Sequence, residues 1–450
     1  MSAPSTDEIP SQDLTLTVES PAAGGSSIAR HEGQVVFVTG AIPGERVRAR
    51  TEAGPAAKFL RADVTEVLEP SEFRVPDRRP AYLVDAANGP LFGGMEFAHV
   101  DLAHSRNLKA EVLGDQLSRI GHLDRDVSVT AAPEESTGTD WRTRVQMAVD
   151  PAGRLGMRPA RSHDVVPLRT APLACPAIAE VDLSELRLPG ADRLEFAWAG
   201  DHGAVIVRGD CDPTAVEKLA SALPSQWSIL AESGGSSQVS AHRGKQRSGA
   251  GRNPRPGKSG RGRLDVVRGQ DFLTERVDDR DYLVAADGFW QVHDQAPEVL
   301  SGAVRSALQT DTTSITDLYC GVGLLGISAA TNTGAELYGV EGVKSAIVNA
   351  KANARGLTAE FEAVRADRAV IPASSDAIIL DPPRSGAGKA VTKALIGSSA
   401  STIVYVSCDA ATLARDLGAL TAGGFVIESL RGFDLFPLTA HLETVTVLRR

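Results

Sequence analysis

From about Pro297 to the C-terminus, six short apolar runs recur with helix-length segments between most of them. They are Ser314–Tyr319, Glu336–Val340, Ala377–Leu380, Thr402–Val406, Phe425–Leu430 and Thr444–Leu448. Strands alternating with helices build a sheet covered on both faces, so this half is expected to be α/β with a doubly wound, mostly parallel sheet. The last two runs leave no room for a crossover helix, and the final strand is expected to enter antiparallel. In such a sheet, ligands bind beyond the carboxyl ends of the strands.

The residues at those ends carry the chemistry. Asp317-Leu318-Tyr319-Cys320-Gly321-Val322-Gly323 ends one strand, turns on glycines and opens a helix, and Glu341 closes the next strand 20 residues after Gly321. Glycines let a backbone approach a nucleotide-like ligand, and the acid suits ribose hydroxyls. The pattern fits a dinucleotide as well as S-adenosylmethionine, and a chance glycine turn reads the same way. Asp381-Pro382-Pro383-Arg384 leaves a third run, where Arg384 offers fixed donors for an oxyanion, a carbonyl or a thiolate. Cys408 follows the run Thr402–Val406 and is expected to cap a helix beginning near Ala410. A helix N-terminus and a neighbouring Arg384 would both lower its pKa and favour a nucleophile over a buried structural thiol. Cys320, inside the glycine turn, reads as structural. His441 and Glu443 share a strand face if strand geometry has begun, and either could accept a proton. On its own, Glu443 reads as a solvated edge residue.

Ahead of this half lie two other territories; 450 residues at about 150 per domain also suggest three. Leu14–Val18, Gln34–Val38, Arg46–Ala49 and Ala62–Val67 alternate between glycine and proline turns, which predicts a small β-barrel over 10–70. Arg46, Arg48, Arg50, Lys58 and Arg61 form a basic patch there, either an RNA contact or a solvated face. Residues 76–287 read as mixed α+β, with a helix over His99–Leu123 and strands at Trp141–Val149 and Ala204–Arg208. Within them Ser233–Arg263 holds eight Lys/Arg, no acid, eight Gly and six Ser, which predicts a disordered basic insertion. The net charge of −10 argues against a polyanion partner, yet outside that segment the chain carries −18, so the charge is strongly segregated. Four scattered cysteines show no zinc or disulfide pattern, and no run of about 18 apolar residues or leader-like start occurs; a cytoplasmic protein without membrane contact is expected.

Taken in order, these motifs resemble the S-adenosylmethionine-dependent RNA uridine-C5 methyltransferases. The resemblance rests on Phe289-Trp290-Gln291-Val292-His293, Asp317–Gly323, Gly339-Val340-Glu341, Asp381–Arg384, Ser407-Cys408 with Arg415-Asp416, and Phe436-Pro437 followed by His441-Leu442-Glu443. Gly40-Ala41-Ile42-Pro43-Gly44-Glu45 is similar to a turn of the TRAM domain, an OB-like barrel that many members carry. The resemblance implies a Rossmann-like class I methyltransferase domain over 288–450, S-adenosylmethionine as cofactor and RNA as partner, in a monomer. It implies Cys408 as nucleophile, Glu443 as general base, and Arg384 assisting the thiolate or the uracil. Gln291, Tyr319, Gly321, Gly323, Glu341 and Asp381 would line the cofactor site, with Asp367 near the adenine.

The chain departs from the family pattern twice. Many members carry a four-cysteine iron–sulfur motif with a Cys-Gly-Gly-Cys core; here that core reads Phe92-Gly93-Gly94-Met95 and only Cys175 remains of the set. One thiolate cannot hold a cluster that needs about four, so none is expected. Leu324 replaces an Asn often set against the cofactor. Ribosomal RNA is favoured as substrate, with the transfer RNA T-loop as the alternative. The rival readings are a nicotinamide-dependent oxidoreductase on the same glycine turn, cytosine methylation, and a catalytically silent RNA-binding protein.

Overall fold

A computed structural model describes residues 8–450 apart from 56–57, 81–83, 86–88, 91–92, 160–161 and 234–261. At the N-terminus, β1 (Asp13–Pro21), β2 (Ser26–His31), β3 (Gln34–Thr39), β4 (Arg46–Thr51) and β5 (Phe59–Glu69) close a barrel in the order β1-β2-β3-β5-β4. Period-two alternation turns Leu14, Leu16, Val36, Val38, Val47 and Ala49 inward. β2 adds a strand to the four expected, because its Ser-Ser-Ile-Ala-Arg-His text has only two apolar residues. Its buried Ser27 is satisfied by donating to the Ala41 carbonyl at 2.9 Å. The basic patch is largely neutralised: Arg46 pairs with Glu69 at 3.1 Å, Arg50 with Asp13 at 2.9 Å, and Arg48 with Glu66. Of its arginines, Arg61 lies over the Phe59 ring instead, 4.8 Å from the centroid.

Helix α1 (Leu102–Gly121) starts later than the expected His99 because the Asp101 carboxylate accepts the His104 N–H at 3.0 Å and caps it. Its inner stripe is Ser105, Lys109, Leu113 and Leu117, spaced by four, while the expected core residue Ile120 is exposed. After β6 (Val129–Ala131) come β7 (Arg144–Val149), β8 (Leu155–Met157), β9 (Val166–Pro167), β10 (Ala191–Ala199), β11 (His202–Gly209), β12 (Trp227–Glu232) and β13 (Leu264–Arg268). β7 to β13 form a seven-stranded sheet in the order β9-β8-β7-β10-β11-β12-β13, with α2 (Pro213–Ala222) crossing between the parallel β11 and β12. The expected basic insertion falls, for residues 234–261, outside the described residues. Its flanks Ser233 and Arg263 are joined by an N–H to carbonyl bond of 2.9 Å.

A hairpin, β14 (Phe272–Val277) and β15 (Arg280–Ala285), leads into α3 (Ala296–Ala307) and the C-terminal sheet. That sheet is built from β16 (Ser314–Leu318), α4 (Leu324–Thr333), β17 (Glu336–Glu341), α5 (Lys344–Asn353), β18 (Ala359–Ala363), β19 (Ala377–Leu380), α6 (Gly388–Gly397), β20 (Thr402–Ser407), α7 (Ala410–Ala422), β21 (Val426–Asp434) and β22 (Glu443–Arg449). Its order is β6-β21-β22-β20-β19-β16-β17-β18. β16 to β20 pair in parallel, and β22 inserts between β20 and β21 antiparallel to both, as expected. Two edge strands go beyond the six expected runs. β18 carries one fully buried side chain, Phe361, and β6 is three residues long. α1 and β6 join this layer from the preceding segment, α1 packing on α7 where Gly418 meets Gly121.

Candidate active site

The carboxyl ends of β16, β17, β19 and β20 converge on one rim. After β16, Tyr319 takes φ 65° and Gly321 φ 56°, both left-handed, so the chain reverses sharply before Gly323 opens α4. A Cβ added at Gly321 would meet nothing within 4 Å, so the backbone there borders open space. Asp317, 1% exposed, accepts the Gly326 N–H at 2.9 Å and ties the turn to α4; burial pushes its carboxyl up to about 8. Glu341 ends β17 and accepts the Val343 N–H at 2.8 Å. Asp367 lies exposed beyond β18, paired with Arg365 at 2.9 Å, and its charge reaches the Tyr319 phenol. Open backbone at Gly321, an acid at the end of the second parallel strand and the Tyr319 phenol within reach of the Glu341 and Asp367 charges are groups that could hold the three parts of S-adenosylmethionine. In that fit Glu341 would take the ribose and Asp367 and Tyr319 would flank the adenine end.

The second half of the rim carries the reactive groups. Cys408 follows β20 and is partly exposed, but the cap of α7 is Asp409, whose carboxylate accepts the Thr412 N–H at 2.8 Å. The expectation of a lowered thiol pKa is corrected by the surroundings. Burial, then the carboxylates of Glu443 and Asp381, push Cys408 up to about 12, against Arg384 and a backbone hydrogen bond. Glu443 is corrected as well: it begins β22, an interior strand, and is 3% exposed rather than solvated. Burial and then Asp381 push its carboxyl well up, against Arg384. Asp381, at the end of β19, is pushed up to about 7 by burial. Cys408, Glu443, Asp381 and Arg384 therefore form one electrostatically connected group.

The Arg384 loop is cradled by α7. Asp416 accepts the N–H groups of Ala387 at 2.8 Å and Gly388 at 3.3 Å, and Tyr405 donates its hydroxyl to it at 2.8 Å. Arg415 donates to the Ser385 carbonyl at 3.0 Å, and Thr412 to that of Arg384 at 3.1 Å. The Arg384 guanidinium lies 3.2 Å from His441 Nε2, and burial, then that guanidinium, push the imidazole down. Rings link this corner to the Gln291 turn: His441 meets Phe436 at 5.8 Å, Phe436 meets Trp141 at 6.2 Å, and Trp141 stacks on His293 at 5.4 Å. Gln291 is partly buried two residues before His293.

An iron–sulfur cluster does not fit the residues present. Met95 (3% exposed) and Cys175 (7% exposed) sit in one apolar core with Leu173 and Ile178, where burial pushes the thiol up. Phe92 lies outside the described residues. Among the described residues no group of three or more His, Cys, Asp or Glu could hold a metal, and no helix is long and apolar enough to cross a membrane.

The sequence reading assigned no role to Asp416, although it quoted the residue within a motif, and it missed Lys109 and Glu96 altogether. The signal for Lys109 was its place in the Ser105-Lys109-Leu113-Leu117 stripe. Both residues act on the segment carrying Glu443, more than 300 residues away.

The strand order β21-β22-β20-β19-β16-β17-β18 of the C-terminal sheet, with a glycine turn after β16 and an acid at the end of β17, defines a class I S-adenosylmethionine-dependent methyltransferase. The sequence model of the tRNA (Uracil-5-)-methyltransferase family matches residues 259–450, and that of the TRAM domain matches residues 11–65. The chain is 36% identical to an RNA methyltransferase of Streptomyces avermitilis, covering 97% of this chain and 98% of the relative. It is also 36% identical to one of Streptomyces coelicolor, over 97% and 93% respectively. The fold is similar to that of the Pyrococcus abyssi tRNA (uracil-54, C5)-methyltransferase in complex with S-adenosyl-L-homocysteine. That match has a TM-score of 0.69 and 22% identity, and it covers 97% of this chain and all of that one. The chain belongs to the RNA (uracil-5-)-methyltransferase family and is an S-adenosylmethionine-dependent enzyme.

Proposed function

We propose that the protein forms 5-methyluridine in RNA through a covalent adduct between Cys408 and uracil C6. The observation that carries this reading is the convergence of Cys408, Glu443, Asp381 and Arg384 at the ends of β19, β20 and β22. Uracil C5 is too weak a nucleophile to take a methyl group unaided. Addition of the Cys408 sulfur to C6 breaks the C5–C6 double bond and makes C5 enolate-like, which splits one difficult step into easier ones. S-adenosylmethionine, when bound, supplies the electrophilic methyl group. Glu443 then takes the proton from C5, the C5–C6 double bond reforms, and Cys408 leaves as the thiolate. Arg384 stabilises the thiolate or the uracil oxygen that gains charge. The target base must leave its stack to reach this rim, as in other enzymes that act on a base.

As substrate we infer large-subunit ribosomal RNA, as the resemblance of the barrel-bearing chain suggests. The transfer RNA T-loop is the second reading, favoured by the name of the family and by the uracil-54 activity in the name of the Pyrococcus abyssi enzyme. Deletion of the gene followed by nucleoside mapping decides between them, since the lost 5-methyluridine lies either in ribosomal or in transfer RNA. Loss of 5-methylcytidine instead would overturn the uracil assignment. For the chemistry, Glu443→Gln should accumulate a methylated protein–RNA adduct stable on denaturing gels, while turnover falls by about 10²–10⁴-fold. Cys408→Ala should give no adduct. Near-normal turnover in Glu443→Gln would move the base to His441 or a water.

A further inference from the structure

We infer that Lys109, on a helix outside the methyltransferase sheet, is a positioning residue that sets the place of Glu443 through the Asp434–Phe436 segment. The inference rests on the reading of Glu443 as the base. Lys109 is 3% exposed, and its Nζ lies 2.5 Å from Asp434 Oδ1, itself on a carboxylate with no exposure. The same ammonium donates to the Phe436 carbonyl at 3.1 Å. Asp434 directly follows Phe433, which pairs across the sheet with Glu443, so both ends of the 434–443 loop meet at this point. The rest of the loop is held from the same side: Glu96 accepts the Ala440 N–H at 3.2 Å, and the Phe97 N–H donates to the Leu438 carbonyl at 2.9 Å. Phe436 also packs its ring edge-on to His441, the partner of Arg384.

A buried charge pair of this kind is weak evidence of stabilisation, since well-packed apolar side chains often replace one at little cost. It does fix register, because a buried ammonium accepts few positions other than the one facing its carboxylate. Lys109 makes two bonds to one loop, at the end nearest the Glu443 cross-strand pair. Its removal leaves the Phe436 carbonyl with Thr439 as its remaining partner and Asp434 without its cation, and a shift of the loop by about 1 Å suffices to slow a proton transfer by up to about 10²-fold.

The test uses the full-length protein with RNA labelled with tritium at uracil C5, so that proton loss is read separately from methyl transfer. Lys109→Met should slow tritium release by roughly 10- to 10²-fold and accumulate the methylated adduct, with the KM for RNA changed by less than about threefold. Lys109→Met/Asp434→Asn removes the unpaired charge and should recover the melting temperature while tritium release stays slow. In the double variant with Glu443→Gln, the Lys109 effect should vanish, because two changes on one step are not additive. Normal tritium release in a folded Lys109 variant would overturn the inference. So would its recovery in Lys109→Met/Asp434→Asn, or a full multiplicative loss on top of Glu443→Gln. Normal release in Glu443→Gln alone would instead sink the base assignment, and the positioning of that base with it.

Discussion

Cys408 carries a nucleophile's role in surroundings that hold its proton on. Burial and then two carboxyl groups outweigh Arg384, so the thiol stays protonated through the neutral range. Alkylation by iodoacetamide, read at Cys408 by peptide mass spectrometry, should therefore be slow from pH 7 to 9, with its midpoint near 12. The signs of two variants follow. Arg384→Met removes the one opposing cation, raises the thiol pKa and slows the reaction, whereas Glu443→Gln speeds it only where that carboxyl, pushed well up by burial, has lost its proton. Cys408 modified at pH 7 as fast as a free thiol would refute the raised thiol and the burial that causes it.

Secondary-structure elements transmit these demands through loops, and the 382–388 loop is the clearest case. Gly386 and Gly388 share φ 74°, yet a Cβ on Gly386 would lie 2.5 Å from Arg415 Nη2 and 2.6 Å from Asp416 Oδ2, while one on Gly388 meets nothing within 4 Å. Gly388→Ala should thus cost only the left-handed backbone penalty, about 1–2 kcal/mol. Gly386→Ala should cost more and lower kcat, because it also pushes α7 from the loop that carries Arg384. Equal melting temperatures for the two would refute the packing argument. The same elements show what the text of the chain exposes. The apolar runs behind β16, β17, β19, β20, β21 and β22 were legible because interior strands buried on both faces read as continuous apolar words. β2 and β18 were not, since an edge or a polar-rich strand buries only one or two side chains. Site residues were legible where they follow a strand directly, as Asp381 and Cys408 do. Lys109 and Glu96 were hidden, because a contact spanning more than 300 residues leaves no local pattern. The solvated reading of Glu443 failed because β22 inserts between two strands, a matter of topology and not of spacing.

Over the whole molecule, the barrel is tied into the catalytic half. Its Gly25 turn packs against Glu96 and Ala440, and its Ile42 shares an apolar cluster with Phe97, Val100, Leu108 and Ala440. Glu45, with no exposure, accepts Arg74 Nε at 2.6 Å and fastens the barrel to the segment that follows it. A barrel held in this way can contribute to RNA binding only through the face it leaves free, and there Arg46, Arg48 and Arg50 are already paired with acids. The unbalanced positive charge of the chain lies instead in Ser233–Arg263, with eight Lys/Arg and no acid against −18 elsewhere. Ser233 and Arg263 extend the paired strands β12 and β13 and are joined by 2.9 Å and 3.0 Å bonds to one carbonyl, so a short turn can replace residues 234–262 without disturbing the sheet. If the seven Lys/Arg of residues 234–262 contact phosphate, their loss should flatten the slope of log K against log salt by up to about 5 for single-stranded RNA, and by less for partial contact. The melting temperature and the adduct formed at saturating RNA should stay unchanged, because none of the rim residues lies in the segment. An unchanged slope would leave RNA binding to the paired barrel face and to the rim itself, and the insertion would then be an inert loop.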